Sequence, residues 1–470
     1  MKKTKIICTL GPACSGRETL KNMLLAGMNV ARLNFSHGTH EEQRQRIELF
    51  QSVRKELNLP CAMMLDTKGP EYRIKTFEKG KIILKEGNTF ALTSEDIEGN
   101  ENRVSVSYKN MVNELNLGDR ILLNNGLIIL EAVEKTKTDV ICNVIVGGEL
   151  SNRKSMSFPN KVLKQVYLSE QDKADLLFGI QMDMDFVACS FVSCKQDVLD
   201  VREFLNQNGG QDIDLIAKIE NRSGVDHIDE ILSVSDGIMV ARGDMGVEIP
   251  YEELPSIQKK LITACRFRGK RVITATEMLE SMIYNPRPTR AEISDVANAV
   301  YDGTSAVMLS GETAAGKYPV EAVQAMSKIA RETEQNIHYK KRFNNSSFEI
   351  RNTTDALSHS TCSLAMDVEA KVIVACTRSG MTARMISRFR SPIPIIGMTT
   401  NEKAYRKLSL SWGVLPVLSE EFQSTDVLFY HAMVQAKNSG LASPGDAIVI
   451  TGGMTNGKSG NTNMIKVEKI

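Results

Sequence analysis

"GIMVARGD", residues 237–244, begins as an uninterrupted apolar run and ends on an arginine, a glycine and an aspartate. A short apolar run bounded by turn signals reads as a strand buried on both faces, as parallel strands are. Charged groups at its C-terminal end then need a reason to be there. Seven other stretches repeat the pattern: "TKIICTLGP" from Thr4, "MNVARLNFSHG" from Met28, "CAMMLDTKGPE" from Cys61, "FVACSFV" from Phe186, "DLIAKIEN" from Asp214, "RVITATEM" from Arg271 and "AVMLSGET" from Ala306. Helix-like segments separate most of them, including "HEEQRQRIELFQSVRKELN" from His40, "YEELPSIQKKLITACRFRG" from Tyr251 and "SEQDKADLLFGI" from Ser169, whose opening Ser-Glu is a capping signal. Eight strand–helix units predict a (β/α)8 TIM barrel, with its active site at the C-terminal ends of the strands. Arg242 and Asp244 would then sit at the mouth.

One unit is interrupted. After the third strand, segments such as "GKIILKEGNTFALTS" and "DRILLNNGLIILEAVEKTKTDVICNVIV" alternate in polarity between Gly-Asp and Asn-Asn-Gly turns. They predict a small β-rich domain over residues 71–165, inserted between barrel segments 1–70 and 166–345. Beyond the polar stretch "RFNNSSFEIRNTT", strands "KVIVACT", "IPIIGMTT", "GVLPVL" and "DAIVITGG" alternate with helices, predicting a doubly wound α/β domain over residues 346–470.

Composition narrows the function classes. With 42% hydrophobic and 24% charged residues the 470-residue chain is ordinary globular protein. Its net charge of +1 provides no field that would recruit nucleic acid or an anionic membrane. No apolar run of about 18 residues predicts a membrane span, and the apolar run in "MKKTKIICTLGP" is too short for a signal peptide. The nine cysteines are scattered without a CxxC pair. They predict a reducing, cytoplasmic setting rather than a disulfide framework or a structural zinc site.

Alternate residues of a strand share a face. By that rule Arg32, Asn34 and Ser36 go together, as do Asp66 and Lys68, Lys218 and Glu220, Arg242 and Asp244, and Thr274 and Thr276. A lone Lys-x-Glu is ordinarily a surface ion pair; the convergence of several such pairs argues for a site. Glu220 and Asp244 could hold magnesium, which takes one or two carboxylates plus substrate oxygens. Lys218 and Arg32 supply cations suited to phosphate. Asn34, Ser36, Asp66 and Thr67 offer hard oxygens for a further cation. Cations and a metal site without an obvious nucleophile fit phosphoryl transfer, where positioning and electrostatics dominate.

Taken together, "ARLNFSHG", "LDTKGPE", "KIEN", "MVARGDMGVEIP", "ITATEMLESM", "NPRPTRAE" and "DGTSAVMLSGETAAGKYP" resemble the pyruvate kinase family, in the family's order. The resemblance implies transfer of the phosphoryl group of phosphoenolpyruvate to ADP, giving pyruvate and ATP. It implies Mg2+ on Glu220 and Asp244, with Lys218 stabilising the phosphoryl group in flight and Arg32 contacting phosphate. The Gly243 and Asp244 backbone and Thr276 would bind substrate, Thr276 lying near the proton that goes to the enolate carbon. Arg242 reads as a positioning ion-pair residue. Asn34, Ser36, Asp66 and Thr67 match the family's K+ ligands, and Asn34, His37, Arg73 and Lys154 its nucleotide side. A glutamate at Glu71, where potassium-independent members carry lysine, implies potassium dependence. The family is usually tetrameric, and the inserted domain is its lid.

Departures concentrate in that lid. Asn124 and Asn125 stand where two aspartates are usual, and "RKSMSFPN", with Ser155 and Asn160, replaces "NKGVNLPG". Ser305 also replaces a usual aspartate. In the last domain, "GGMTNGKS" at 452–459 has Walker A spacing but too little chain after it for the helix that motif must open. With "TRSGMT", where Thr377, Ser379, Gly380 and Thr382 precede a predicted helix, it resembles instead the family's pocket for a phosphorylated sugar or nucleotide effector. Two other classes stay open: a barrel lyase or aldolase using Lys218 as a Schiff base, and a regulatory protein that binds phosphoenolpyruvate without turnover.

Overall fold

The structure, a computed structural model, describes residues 1–159, 161, 163, 166–453 and 462–470. Eight parallel strands close into a barrel: β1 (Lys5–Thr9), β2 (Val30–Asn34), β3 (Ala62–Asp66), β4 (Phe186–Cys189), β5 (Asp214–Ile219), β6 (Gly237–Ala241), β7 (Arg271–Ala275) and β8 (Ala306–Leu309). These are the eight apolar runs of the sequence. Side chains alternate between two cores. Ile7, Val30, Met64, Ile216, Met239 and Ile273 fill the barrel interior, while Ile6, Leu33, Leu65, Leu215 and Val240 pack outward against the helices. The inward row of each strand therefore sets which polar residue emerges at the mouth. Val30 leads to Arg32 and Asn34, Met64 to Asp66, and Ile216 to Lys218.

Capping fixes where the helices begin. Thr39 accepts the Glu42 amide at the start of helix His40–Glu56, and Glu42 answers the Thr39 amide. Ser169 and Thr289 open helices Glu170–Gln181 and Arg290–Asp302 in the same way. Each reciprocal pair satisfies two amides that the first helical turn leaves free.

The inserted region forms a seven-stranded sheet ordered Tyr72–Arg73, Ser155–Ser157, Arg120–Leu123, Ile128–Lys135, Asp139–Val146, Thr89–Thr93, Arg103–Ser105. A bridge between Ile74 and Val106 joins its two edges, so the sheet curls back on itself around its own core of Phe90, Leu92, Ile121 and Leu130. In the C-terminal domain, β9 (Val372–Cys376), β10 (Ile395–Thr399), β11 (Val414–Leu418) and β12 (Ala447–Gly452) are parallel, and β13 (Met464–Lys469) pairs antiparallel along the edge of β12. Leu410, just before β11, joins the barrel's interior cluster. All nine cysteines are free, and eight are buried. No helix among the described residues is long and apolar enough to cross a membrane.

Candidate active site

Three inward-row residues meet at the mouth. Arg32 donates from Nε to Asp66 Oδ2 (2.6 Å) and from a terminal nitrogen to Thr9 Oγ1 (2.9 Å). Lys218 Nζ donates to Asp66 Oδ1 (3.1 Å) and to Ser190 Oγ (2.7 Å). Burial disfavours charge on Lys218, but Asp66 and Glu220 outweigh it and hold its pKa above the ordinary lysine value. Burial likewise works against the Asp66 carboxylate, and Arg32 and Lys218 overcome it, leaving its pKa below the usual value.

Glu220 follows β5 directly. Its Oε2 accepts the Phe191 amide (2.6 Å). Its Oε1 lies 3.1 Å from Lys218 Nζ, off the line of a hydrogen bond, and that buried oxygen has no hydrogen-bond partner. Burial is the main cause that raises the Glu220 pKa to about 7; Lys218 opposes the rise and Asp244 adds to it. A buried carboxylate oxygen left without a donor, with a second carboxylate nearby, has the chemistry of a hard-cation site.

Strand alternation stops short of the rest. β6 ends at Ala241, and residues Arg242–Glu248 form a helix. Arg242 and Asp244 therefore do not share a strand face. Arg242 turns away to pair with Asp295 (2.7 Å) and to hold the Thr276 carbonyl (2.5 Å), while Asp244 is exposed at the helix start. Thr274 and Thr276 part in the same way. Thr274, in the outward row with Val272, bonds Thr304 Oγ1 (3.0 Å). Thr276 lies beyond the strand at φ +67°. Its Oγ1 accepts the Gly243 amide (2.8 Å) and donates to the Ala275 carbonyl (2.6 Å), tying the two loops together. Ser36 and Lys68 are exposed beyond their strands.

Asn34 and Asp66 are register neighbours across β2 and β3. The Asn34 Oδ1 accepts the Ser36 amide (3.0 Å). Thr67 is buried, its Oγ1 accepting the Ser190 amide (3.1 Å) and its carbonyl the Ser190 hydroxyl (2.6 Å). His37 is exposed. Arg73 pairs with Glu71 (2.6 Å) and donates to the Arg153 carbonyl (2.6 Å).

A cleft of about 270 Å³ separates the inserted domain from the barrel. Glu71, Asn125, Ser155, Glu220 and Asp244 line it, and Lys154 does not. Several lining residues have no role legible in the sequence: Lys161, which pairs with Asp119; Arg222, which pairs with Glu253 (2.7 Å); His227; and Glu248, although it lies within "MVARGDMGVEIP". Glu248 faces the Phe158 backbone of the inserted domain, which favours its charged form, but burial, helped by Glu220, raises its pKa to about 8. Ser190, which binds both Lys218 and Asp66, was also missed. Asn124 and Asn125 have φ of 52° and 56°, ahead of Gly126 at 81°. Asparagine and aspartate both tolerate this left-handed backbone better than most residues, so the turn accepts Asn124 and Asn125 where aspartates are usual.

In the C-terminal domain, Gly380 (φ +81°) caps helix Met381–Ser387. Thr377 is half-buried and Ser379 exposed, whereas Thr382 is buried against Thr462 (2.7 Å). Most of "GGMTNGKS", residues 454–459, lies outside the described residues.

The family model described as "Pyruvate kinase, barrel domain" matches residues 1–323, and "Pyruvate kinase, alpha/beta domain" matches residues 355–468. Among curated relatives, a pyruvate kinase of Clostridium acetobutylicum is 47% identical over 472 residues, covering all of both chains. One of Geobacillus stearothermophilus is 47% identical, covering all of this chain and 80% of the relative. One of Staphylococcus aureus is 46% identical, covering 81% of the relative.

Proposed function

This chain belongs to the pyruvate kinase family of phosphotransferases, and on that premise we propose that it moves the phosphoryl group of phosphoenolpyruvate to ADP with the residues at the barrel mouth. The observation that carries the reading is Lys218, a buried ammonium kept charged between Asp66, Ser190 and Glu220. A fixed positive charge of this kind stabilises a phosphoryl group as it transfers, with no reorganisation needed at the moment of reaction. The same charge argues against a Schiff-base role, which requires a neutral amine.

Arg32, oriented by Asp66 and Thr9, is a second cation for substrate phosphate. Glu220 and Asp244 would hold magnesium, and the unpartnered Glu220 Oε1 fits that assignment. When bound, the metal would neutralise charge on phosphoryl and enolate oxygens. Thr276, whose hydroxyl is oriented by Gly243 and Ala275, would present the proton that the enolate carbon receives. The substrate would lie against the Gly243 and Asp244 backbone.

Asn34, Ser36, Asp66 and Thr67 would hold potassium through hard oxygens. Asn34, His37, Arg73 and Lys154 would face the nucleotide. The lid, contacting Glu248 through Phe158, would keep water from the phosphoryl group. Thr377, Ser379, Gly380 and Thr382 would take a phosphorylated sugar or nucleotide effector, and the assembly would be a homotetramer acting in the cytoplasm. The test is pyruvate formation from phosphoenolpyruvate and ADP with magnesium, with and without sugar phosphates. Turnover supports the reading, and its absence from folded protein that still binds phosphoenolpyruvate overturns it in favour of a regulatory role.

A further inference from the structure

The seam between barrel and C-terminal domain holds cations that the reaction does not use. Lys270 and Arg271 come from the start of β7, and Arg384, Arg388 and Arg390 from helix Met381–Ser387 and the turn after it. All five line one small cavity of about 10 Å³, room for a single water-sized particle. No carboxylate lines it. Those nearby are already engaged: Asp214 by Arg271 and Lys407 (2.7 Å each), and Asp355 by Arg388 (3.3 Å). Among the described residues, Arg390 has no acidic partner. Its donors go to the Gly303 carbonyl (3.1 and 3.3 Å), the Ser387 carbonyl (2.7 Å) and the Ser305 and Ser387 hydroxyls (3.0 and 3.3 Å). Arg266 and Arg342 stand close enough to disfavour its charge further.

Four residues of the cavity lining each carry a buried polar atom without a hydrogen-bond partner among the described residues: Nε of Arg271, Arg384 and Arg388, and Oγ of Ser411. Arg271, Arg388 and Ser411 are 5%, 4% and 2% exposed. Three of the four are N–H groups that can only donate, and the hydroxyl can also donate. A water molecule accepts about two such bonds and brings no charge, whereas a spherical anion accepts from every side. We propose that this cavity is a site for a small monovalent anion of halide size, bridging the two domains. The anion accepts the orphaned N–H groups and the Ser411 hydroxyl, and it offsets the charge of Arg390.

Crystals of the full chain grown in bromide, measured at the bromine edge, test occupancy. Thermal unfolding in chloride and in gluconate, at equal ionic strength and potassium, tests linkage. The expected results are an anomalous peak in the cavity and a melting point about 2 °C higher in chloride. Both should vanish in Ser305→Asp, whose carboxylate would take the anion's place beside Arg390. The bromide measurement on the unmodified protein decides occupancy however that variant folds. Cavity density without anomalous signal, equal melting points in both salts, or a chloride effect that survives in well-folded Ser305→Asp would each overturn the proposal.

Discussion

Lys218 Nζ and Glu220 Oε1 are 3.1 Å apart but not hydrogen-bonded, so the ammonium neutralises the carboxylate without occupying its oxygen. Two residues spaced i and i+2 at the end of β5 thus supply a fixed cation and an unpartnered carboxyl oxygen side by side.

Replacing Lys218 by methionine keeps the stem and removes the charge. Loss of one preorganised electrostatic group of this kind costs about 10²–10³ in kcat. The expected outcome is a loss of at least that size with phosphoenolpyruvate still bound, read by steady-state kinetics and calorimetry.

Ser190 touches Lys218 and Asp66 but has no place in the proposed chemistry of its own. It is a positioning residue. Ser190→Ala should lower kcat about tenfold, with little change in KM, because the hydroxyl's hydrogen bonds to the charged Lys218 and Asp66 are lost. Ser190→Thr, which keeps the hydroxyl, should recover part of the rate. An alanine variant with full activity would remove Ser190 from the account.

Glu71 pairs with Arg73 at the edge of the cleft. Glu71→Lys should lessen the potassium requirement by supplying a cation, and should raise the KM for ADP by releasing and repelling Arg73. Activity in sodium and potassium buffers across an ADP titration reads both effects. An unchanged potassium requirement refutes the assigned role of Glu71.

Glu248 has a pKa raised from the ordinary 4.5 to about 8. A carboxyl whose pKa is raised by folding favours the closed, folded form fully below about pH 4.5. That contribution is lost as pH rises through about 8, by at most about 1.4 kcal/mol per pH unit. Opening the cleft relieves the charge without global unfolding. Hydrogen exchange at the Phe158 amide should therefore quicken between pH 7 and 9, after correction for intrinsic rates. Glu248→Gln should remove that dependence.

The barrel was legible because parallel strands buried on both faces read as apolar runs, and the inward rows carried Arg32, Asp66 and Lys218 to the mouth. The same alternation failed where strands end. Nothing local in "MVARGDMG" distinguishes the strand that stops at Ala241 from the helix that begins at Arg242, and Gly243 and Gly246 disguise that helix. Thr276 was misread with Thr274 because its left-handed backbone breaks the alternation. Ser190 and Arg222 join the site from segments without a motif, whereas Glu248 sits inside "MVARGDMGVEIP" and only the fold shows that it lines the cleft.

The most direct measurement follows pyruvate and ATP formation from phosphoenolpyruvate and ADP with magnesium, by the natural chain and by Lys218→Met, in potassium and in sodium. The expected result is turnover by the natural chain that depends on potassium, and a loss of at least about 10²-fold in the variant. Near-normal turnover in Lys218→Met would contradict it.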